Sequence, residues 1–255
     1  MDFSNLTDMM NYVIFFVGFL FVIPALTMHE YAHAWMANRL GDPTARMMGR
    51  LSMNPLRHID PIGTVAMPIG LLVISVLFTG IPFTFGWAKP VPFNPRYLKD
   101  PKRDTALVGL AGPAVNVLLA AISGFVLMLM RVIDSSLVFV FSQSQPGMVV
   151  ALTPIAMMIG FFCYINLILC FFNLLPIPPF DGSRVVQKFL TGNARHVYGQ
   201  LEQYGMFIIL ALIFVPRMMG FDLIGGYFAL TAQPVFQLLT GIPSGALFAS
   251  LFGAF

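Results

Sequence analysis

From Tyr12 to Trp35 the chain is apolar for most of its length, and near the end of that stretch it carries His29-Glu30-Tyr31-Ala32-His33. A run this long and apolar predicts a helix that crosses hydrocarbon, where every backbone polar group must be satisfied within the segment. On a helix, histidines at i and i+4 lie on one face, at the spacing two imidazoles need to share a zinc ion. Glu30, one step after the first histidine, is then placed to take a proton from water at the metal. The alternative is a polar patch where a helix leaves the bilayer. Ionisable residues within a span are nevertheless functional candidates by default.

Composition supports the membrane. The 255 residues are 58% hydrophobic and only 10% charged, against about 25% charged in a soluble protein. The net charge of +3 is small, and the basic residues gather in loops, which reads as a topology signal and excludes a nucleic-acid surface. Residues 1–10 hold Asp2 and Asp8 but no Lys or Arg, and no small-residue cleavage site follows, so no cleavable signal peptide is expected. Cys163 and Cys170 lie two turns apart on an apolar helix, about 10 Å along its axis, too far for a disulfide. Buried, inert thiols are expected.

Residues 11–37, 105–131, 148–173 and 204–224 are each long enough to cross a hydrocarbon core of about 30 Å. A fifth apolar stretch, 61–85, is punctuated by Pro61, Gly63, Pro68, Gly70, Gly80 and Pro82. Arg39, Arg46, Arg50 and Arg57 precede it, and Lys89, Arg96, Lys99, Lys102 and Arg103 follow it. Both groups belong on the cytoplasmic side by the positive-inside rule, so 61–93 is expected to enter the membrane and return as a re-entrant element. The connection 132–147 then lies outside, and Arg184, Lys188 and Arg195 lie inside. If hydrocarbon begins near Tyr12, His29 lies about 25 Å along the axis, inside the membrane but close to its inner face. The tail after residue 224 has no charged residue and several Gly and Pro breaks, and is expected to pack on or dip into the bilayer.

A catalytic zinc usually has three protein ligands and one open position. Asp181 is the leading third candidate. It closes the run Asn173-Leu174-Leu175-Pro176-Ile177-Pro178-Pro179-Phe180-Asp181-Gly182, where the prolines forbid a continuing helix and predict an unwound, extended segment. An ordinary loop aspartate, capping a helix that starts near Ser183, would fit the same residues. Glu202 sits in a polar stretch and reads as a solvated turn. His58 could be a ligand, a proton shuttle or a structural loop residue, and the structural role is favoured. His196 reads as surface.

Taken together, His29-Glu30-x-x-His33 and Asn173-x-x-Pro176-x-Pro178-x-x-Asp181-Gly182 resemble the site-2 protease family of intramembrane zinc metalloproteases. Gly112-Pro113-x-x-Asn116 and Gly86-Trp87-Ala88-Lys89-Pro90-Val91-Pro92 add to the resemblance, which covers about residues 20 to 210. It implies that His29, His33 and Asp181 bind Zn2+, that Glu30 is the general base, and that Asn116 and Asn173 help shape the substrate-binding and catalytic site. Phe180 and Ser183 depart from the family's usual Leu before the aspartate and second Gly after it. No stretch is long enough for a PDZ domain and no nucleotide-sensing CBS domain is evident, so the chain looks like a minimal member.

The fold expected is all-α: a multi-pass transmembrane protein with a re-entrant element and an unwound helix at the metal site. A single membrane-embedded domain would fill 1–255, with its core in about 11–224 and an uncharged tail at 225–255. The function expected is hydrolysis of peptide bonds within or beside the transmembrane segment of a single-span protein in the cell membrane, with the site near the cytoplasmic face. The bilayer is the other partner, and no nucleic acid is expected. A silent membrane scaffold, or a transporter or channel using the polar constellation, is the rival. Transporters more often show paired internal repeats, and none is evident.

Overall fold

The computed structural model describes residues 3–79, 86–141 and 149–247, with the side chains of residues 3–19 outside the description. It is a helical protein. α1 (Phe3–Arg39) runs for 37 residues and takes up the whole 11–37 segment. A loop containing the short α2 (Thr44–Met47) leads to a π-helical turn, Pro61–Ala66, which continues into α3 (Met67–Thr79). Asp60 starts that run by accepting hydrogen bonds from the Ile62 and Gly63 amides, and Pro61 occupies the first position, where no N–H is needed. The Met67 N–H reaches back five residues to the Ile62 carbonyl. Helix thus persists through proline and glycine that the sequence alone reads as punctuation. Residues 80–85, part of the expected re-entrant element, lie outside the described residues.

The two ends of this stretch meet. Trp87 N donates to Gly63 O at 3.0 Å and Lys89 N to His58 O at 2.8 Å. The Thr64 hydroxyl donates to Trp87 O at 2.8 Å. Residues 86–94 then run irregularly past the end of α1. The buried Asp42 accepts from Asn94 N at 2.6 Å, and Arg50 donates to the carbonyls of Lys89 and Pro90.

α4 (Pro101–Ile133) starts on Asp100, whose carboxylate accepts from the Lys102 and Arg103 amides, with Pro101 in the first turn. Its buried face carries Asn116, Ala120, Ser123, Gly124 and Leu127. The opposite face exposes Leu118, Ile122, Phe125, Leu129 and Val132 as a continuous apolar stripe. Such a stripe belongs in lipid rather than water. After a small antiparallel hairpin, β1 (Phe139–Phe141) with β2 (Val149–Leu152), Thr153 caps α5 (Pro154–Asn173). The expected 148–173 span is therefore shorter at its start, because 149–152 pairs as a strand. Among the described residues, α4 and α5 are the helices long and apolar enough to cross a membrane.

The chain then turns into α6 (Asp181–Phe189), α7 (Gly192–Gln200) and α8 (Gly205–Met218). The expected 204–224 span is not one straight helix: Gly192–Tyr204 and Phe207–Pro216 together are long and apolar enough for a crossing, but the pair is bent by 74°. α8 has 14 residues, about 21 Å at the rise of a helix, short of a 30 Å core. Pro216 lies in its last turn, and Gly220, at φ +87°, takes the left-handed conformation that ends it. Asp222 caps α9 (Leu223–Leu230), and α10 (Ala232–Thr240) follows.

The tail does more than lie on the bilayer. α10 packs on α4 and α5, and Ala232, Phe236, Ile242 and Leu247 join Ala120, Leu127, Cys163 and Leu167 in the main buried cluster. Tyr164 and Phe236 meet edge to face, with centroids 5.5 Å apart. Small residues at the contact, Ala120, Ala156 and Cys163, let the helices approach closely where lipid offers no hydrophobic drive. Both cysteines are free and buried.

Candidate metal centre

Two elements bring the three ligand atoms together. The helical period of α1 puts His29 and His33 on one face, with Nε2 atoms 3.0 Å apart. Asp181 opens α6, and its Oδ2 lies 3.1 Å from each of those nitrogens. The expected alternative, a capping aspartate, is not what forms. The helix starts at Asp181 itself, its N-cap Phe180 makes no side-chain cap, and the carboxylate turns to the histidines. Phe180 is buried against Phe172, ring centroids 4.5 Å apart, and this contact ties the start of α6 to the end of α5.

Residues 174–180 do unwind, as expected, but not into an extended strand. They form successive bends and turns, with Phe180 N donating to Ile177 O at 3.0 Å and a cis bond between Pro178 and Pro179. Prolines that cannot continue a helix here fold the chain back on itself. Gly182 is required by the closeness of that return, since a Cβ there would collide with the carbonyls of Leu174 and Leu175.

The far nitrogens of the two imidazoles are also engaged. His33 Nδ1 donates to the Val108 carbonyl at 2.6 Å, and His29 Nδ1 lies 2.5 Å from Asn116 Oδ1. With hydrogens on Nδ1, both Nε2 atoms present lone pairs, so two nitrogens and a carboxylate oxygen converge with no donor among them. That is a cation site. Ligands about 2.0–2.1 Å from a tetrahedral zinc stand about 3.3 Å apart, close to the 3.0–3.1 Å found here. Ionised oxygen is the form that binds metal.

Gly112 makes the space. A Cβ at this position of α4 would overlap the Nε2 atoms of both His33 and His29. The residues present therefore fit a metal, and among the described residues His29, His33 and Asp181 are the group able to hold one.

Beside this centre lies a cavity of about 120 Å³ lined by Glu30, Asn173, Val91, Phe93, Pro179 and Arg184 together with the three ligand candidates. Glu30 is half-buried, and its Oε2 accepts from Val91 N at 3.1 Å. Arg184 stacks over Phe93, 4.7 Å from its centroid. Asn173 lines the cavity and donates to Leu169 O at 2.9 Å. Asn116 is placed differently, fully buried behind His29, on the side away from Asp181. His58 stands apart, donating to Ser52 O at 2.7 Å, and Glu202 accepts from Gln187 on the surface. His196 is exposed and near Gln200.

Sequence reasoning missed Asn166, whose Oδ1 accepts from Asn116 Nδ2. Its signal was present, as a lone amide in the middle of an apolar helix, seven residues before Asn173 and so on nearly the same face. The Val108 carbonyl and the Val91 amide are main-chain groups, and nothing in their side chains announces them.

The family model for peptidase family M50 matches residues 14–216. A Bacillus subtilis (strain 168) protein named "Putative zinc metalloprotease YwhC" is 37% identical over 195 residues, covering 76% of this chain and 78% of its own length. The proteins called Rip2, described in the same words, are 30% identical in Mycolicibacterium smegmatis (strain ATCC 700084 / mc(2)155) and 26% in Mycobacterium tuberculosis (strain ATCC 25618 / H37Rv). The matches cover 76% and 77% of this chain but 65% and 66% of those longer relatives. No solved structure matches.

Proposed function

The chain belongs to peptidase family M50 and is a membrane-embedded zinc metalloprotease, and on that premise we propose that it cuts peptide bonds within or next to the transmembrane segment of a single-span membrane protein. The observation that carries this reading is the convergence of His29, His33 and Asp181 at the end of an apolar helix, with Glu30 lining the same cavity. In the proposal, His29, His33 and Asp181 hold the ion. Bound zinc would polarise the scissile carbonyl and lower the pKa of a water toward about 7. Glu30 accepts the water's proton and delivers it to the leaving amine, and the Val91 N–H holds its carboxylate in place meanwhile. Arg184 and Asn173 face the cavity where the substrate backbone would lie.

A helical substrate hides its carbonyls in internal hydrogen bonds and must unwind before it can be cut. An apolar cavity of about 500 Å³ supports access from the bilayer. It is lined by Val22, Ile23 and Leu26 of α1, one to two turns before His29, and by Trp87, Leu169 and Phe172. Pairing of the unwound substrate with residues 86–93 as an added strand has little room. The N–H groups of Trp87, Lys89 and Val91 are already used, and Pro90 and Pro92 have none. The turned segment 174–180 offers no strand edge either.

The test is to reconstitute the purified protein in liposomes with a single-span substrate and map the cut by mass spectrometry. A cut inside or within a few residues of the apolar segment is expected. Cutting confined to water-soluble loops would overturn the reading.

The meeting of residues 58–64 with 86–89 supports a re-entrant course for 61–93, with both flanking basic loops on the cytoplasmic side of the cell membrane and the metal centre near that face. Cysteines introduced at Ser52 and Asp100 are then both labelled by a reagent confined to the cytoplasm. Labelling from opposite sides would mean that 61–85 crosses completely.

A further inference from the structure

Two asparagine side chains, Asn116 on α4 and Asn166 on α5, are fully buried between helices. A buried amide costs free energy unless its groups are hydrogen-bonded, and here the bonds form a chain. His29 Nδ1 meets Asn116 Oδ1 at 2.5 Å, Asn116 Nδ2 donates to Asn166 Oδ1 at 2.8 Å, and Asn166 Nδ2 donates to the Phe162 carbonyl at 2.8 Å.

The direction of every link follows from the last one. A carbonyl oxygen can only accept, so Asn166 must turn its NH₂ to Phe162 and its oxygen to Asn116. Asn116 must then give its NH₂ to Asn166, which leaves its own oxygen facing His29. An amide oxygen has no hydrogen to donate, so His29 must carry its proton on Nδ1. Its Nε2 is then a bare lone pair aimed at His33 Nε2 and Asp181 Oδ2. His33 reaches the same state in one step, through the Val108 carbonyl.

We propose that Asn166 is a positioning residue for the metal centre. Through Asn116 it passes the acceptor-only character of a backbone carbonyl to His29 and sets the tautomer that can bind metal. The inference rests on the reading of His29 as a ligand. Asn116 is fully buried and meets the imidazole on the side away from Asp181, and the relay gives it a role there, behind the ligand.

The test uses the full-length protein in detergent and reads zinc affinity by competition with a chromophoric chelator. Outer-shell partners of ligating histidines typically contribute 10–100-fold to metal affinity, and Asn166 acts one link further away. Asn166→Leu, close in size but without an acceptor, is expected to weaken zinc binding about tenfold, within that range. Asn116→Asp supplies an acceptor-only carboxylate directly to Nδ1 and so makes the rest of the chain unnecessary. In that background Asn166→Leu is expected to cost nothing. A purely structural Asn166 would lose the same factor in both backgrounds, and that result, or wild-type affinity in Asn166→Leu alone, overturns the proposal.

A second measurement needs no substitution in the relay. In ¹⁵N-histidine-labelled, metal-free protein, the His29 resonance, assigned by its loss in His29→Gln, is expected to report hydrogen on Nδ1. Hydrogen on Nε2 would overturn the relay. Unchanged zinc affinity in His29→Ala would instead bring down the ligand assignment itself, and the two failures are told apart by which variant shows them.

Discussion

Replacing Glu30 with glutamine is expected to lower cleavage of a reconstituted single-span substrate by at least 10²- to 10⁴-fold, the range that general-base catalysis contributes, while bound zinc stays near the wild-type level. Glutamine keeps the size and helix propensity of glutamate but cannot accept a proton. Glu30 stands next to a proposed ligand in sequence, yet its carboxylate is bonded to the Val91 amide and lies outside the His29, His33 and Asp181 group. Metal content and chemistry should therefore separate. Parallel assays of zinc and cleavage on one preparation decide the matter. Near-normal cleavage by Glu30→Gln would remove the glutamate from the mechanism, and loss of zinc along with activity would make it a ligand.

Asp181→Ala is expected to behave in the opposite way, losing the metal first. Its Oδ2 is 3.1 Å from both imidazoles, so truncation removes one of the three proposed ligands and the only negative charge among them. The fall in zinc affinity should exceed the 10–100-fold that an outer-shell partner contributes, and cleavage should disappear with the metal. Helicity should persist, because the main packing cluster of α4, α5 and α10 does not include Asp181. Equilibrium dialysis against buffered zinc, with circular dichroism on the same sample, checks both halves. Full zinc occupancy in Asp181→Ala would return attention to Asp60 and His58, although both are occupied elsewhere, one capping the turn at Pro61 and the other bonded to Ser52.

The centre was legible in the sequence because its chemistry is written in side chains with a fixed period. Two histidines four apart must share a face of a helix, and an aspartate after a proline-rich break can come from a different element to meet them. Where lipid and protein compete for the same residues, the sequence says less. Phe236 and Leu247 are as apolar as Leu118 and Phe125, yet the first pair is buried and the second exposed. Hydropathy assigns both to the membrane without saying which face meets a neighbouring helix. For that reason the tail looked peripheral, although it completes the core. The end of α8 also escaped notice, since its stop is a left-handed Gly220 inside a run that still reads as apolar. The turns at 174–180 depend on how prolines fold back against Gly182, and local composition signals only that the helix stops. Asn166 was overlooked for a related reason: an uncharged amide scarcely alters the apolar character of its helix, and its meaning lies in a partner fifty residues away.

Zinc bound per chain in the purified protein, followed through chelation and restoration, tests the central claim most directly. The account predicts close to one zinc for each wild-type chain, cleavage that stops when a chelator removes it, and cleavage that returns when zinc is added back. Protein that cleaves its substrate at full rate with no metal bound would contradict it.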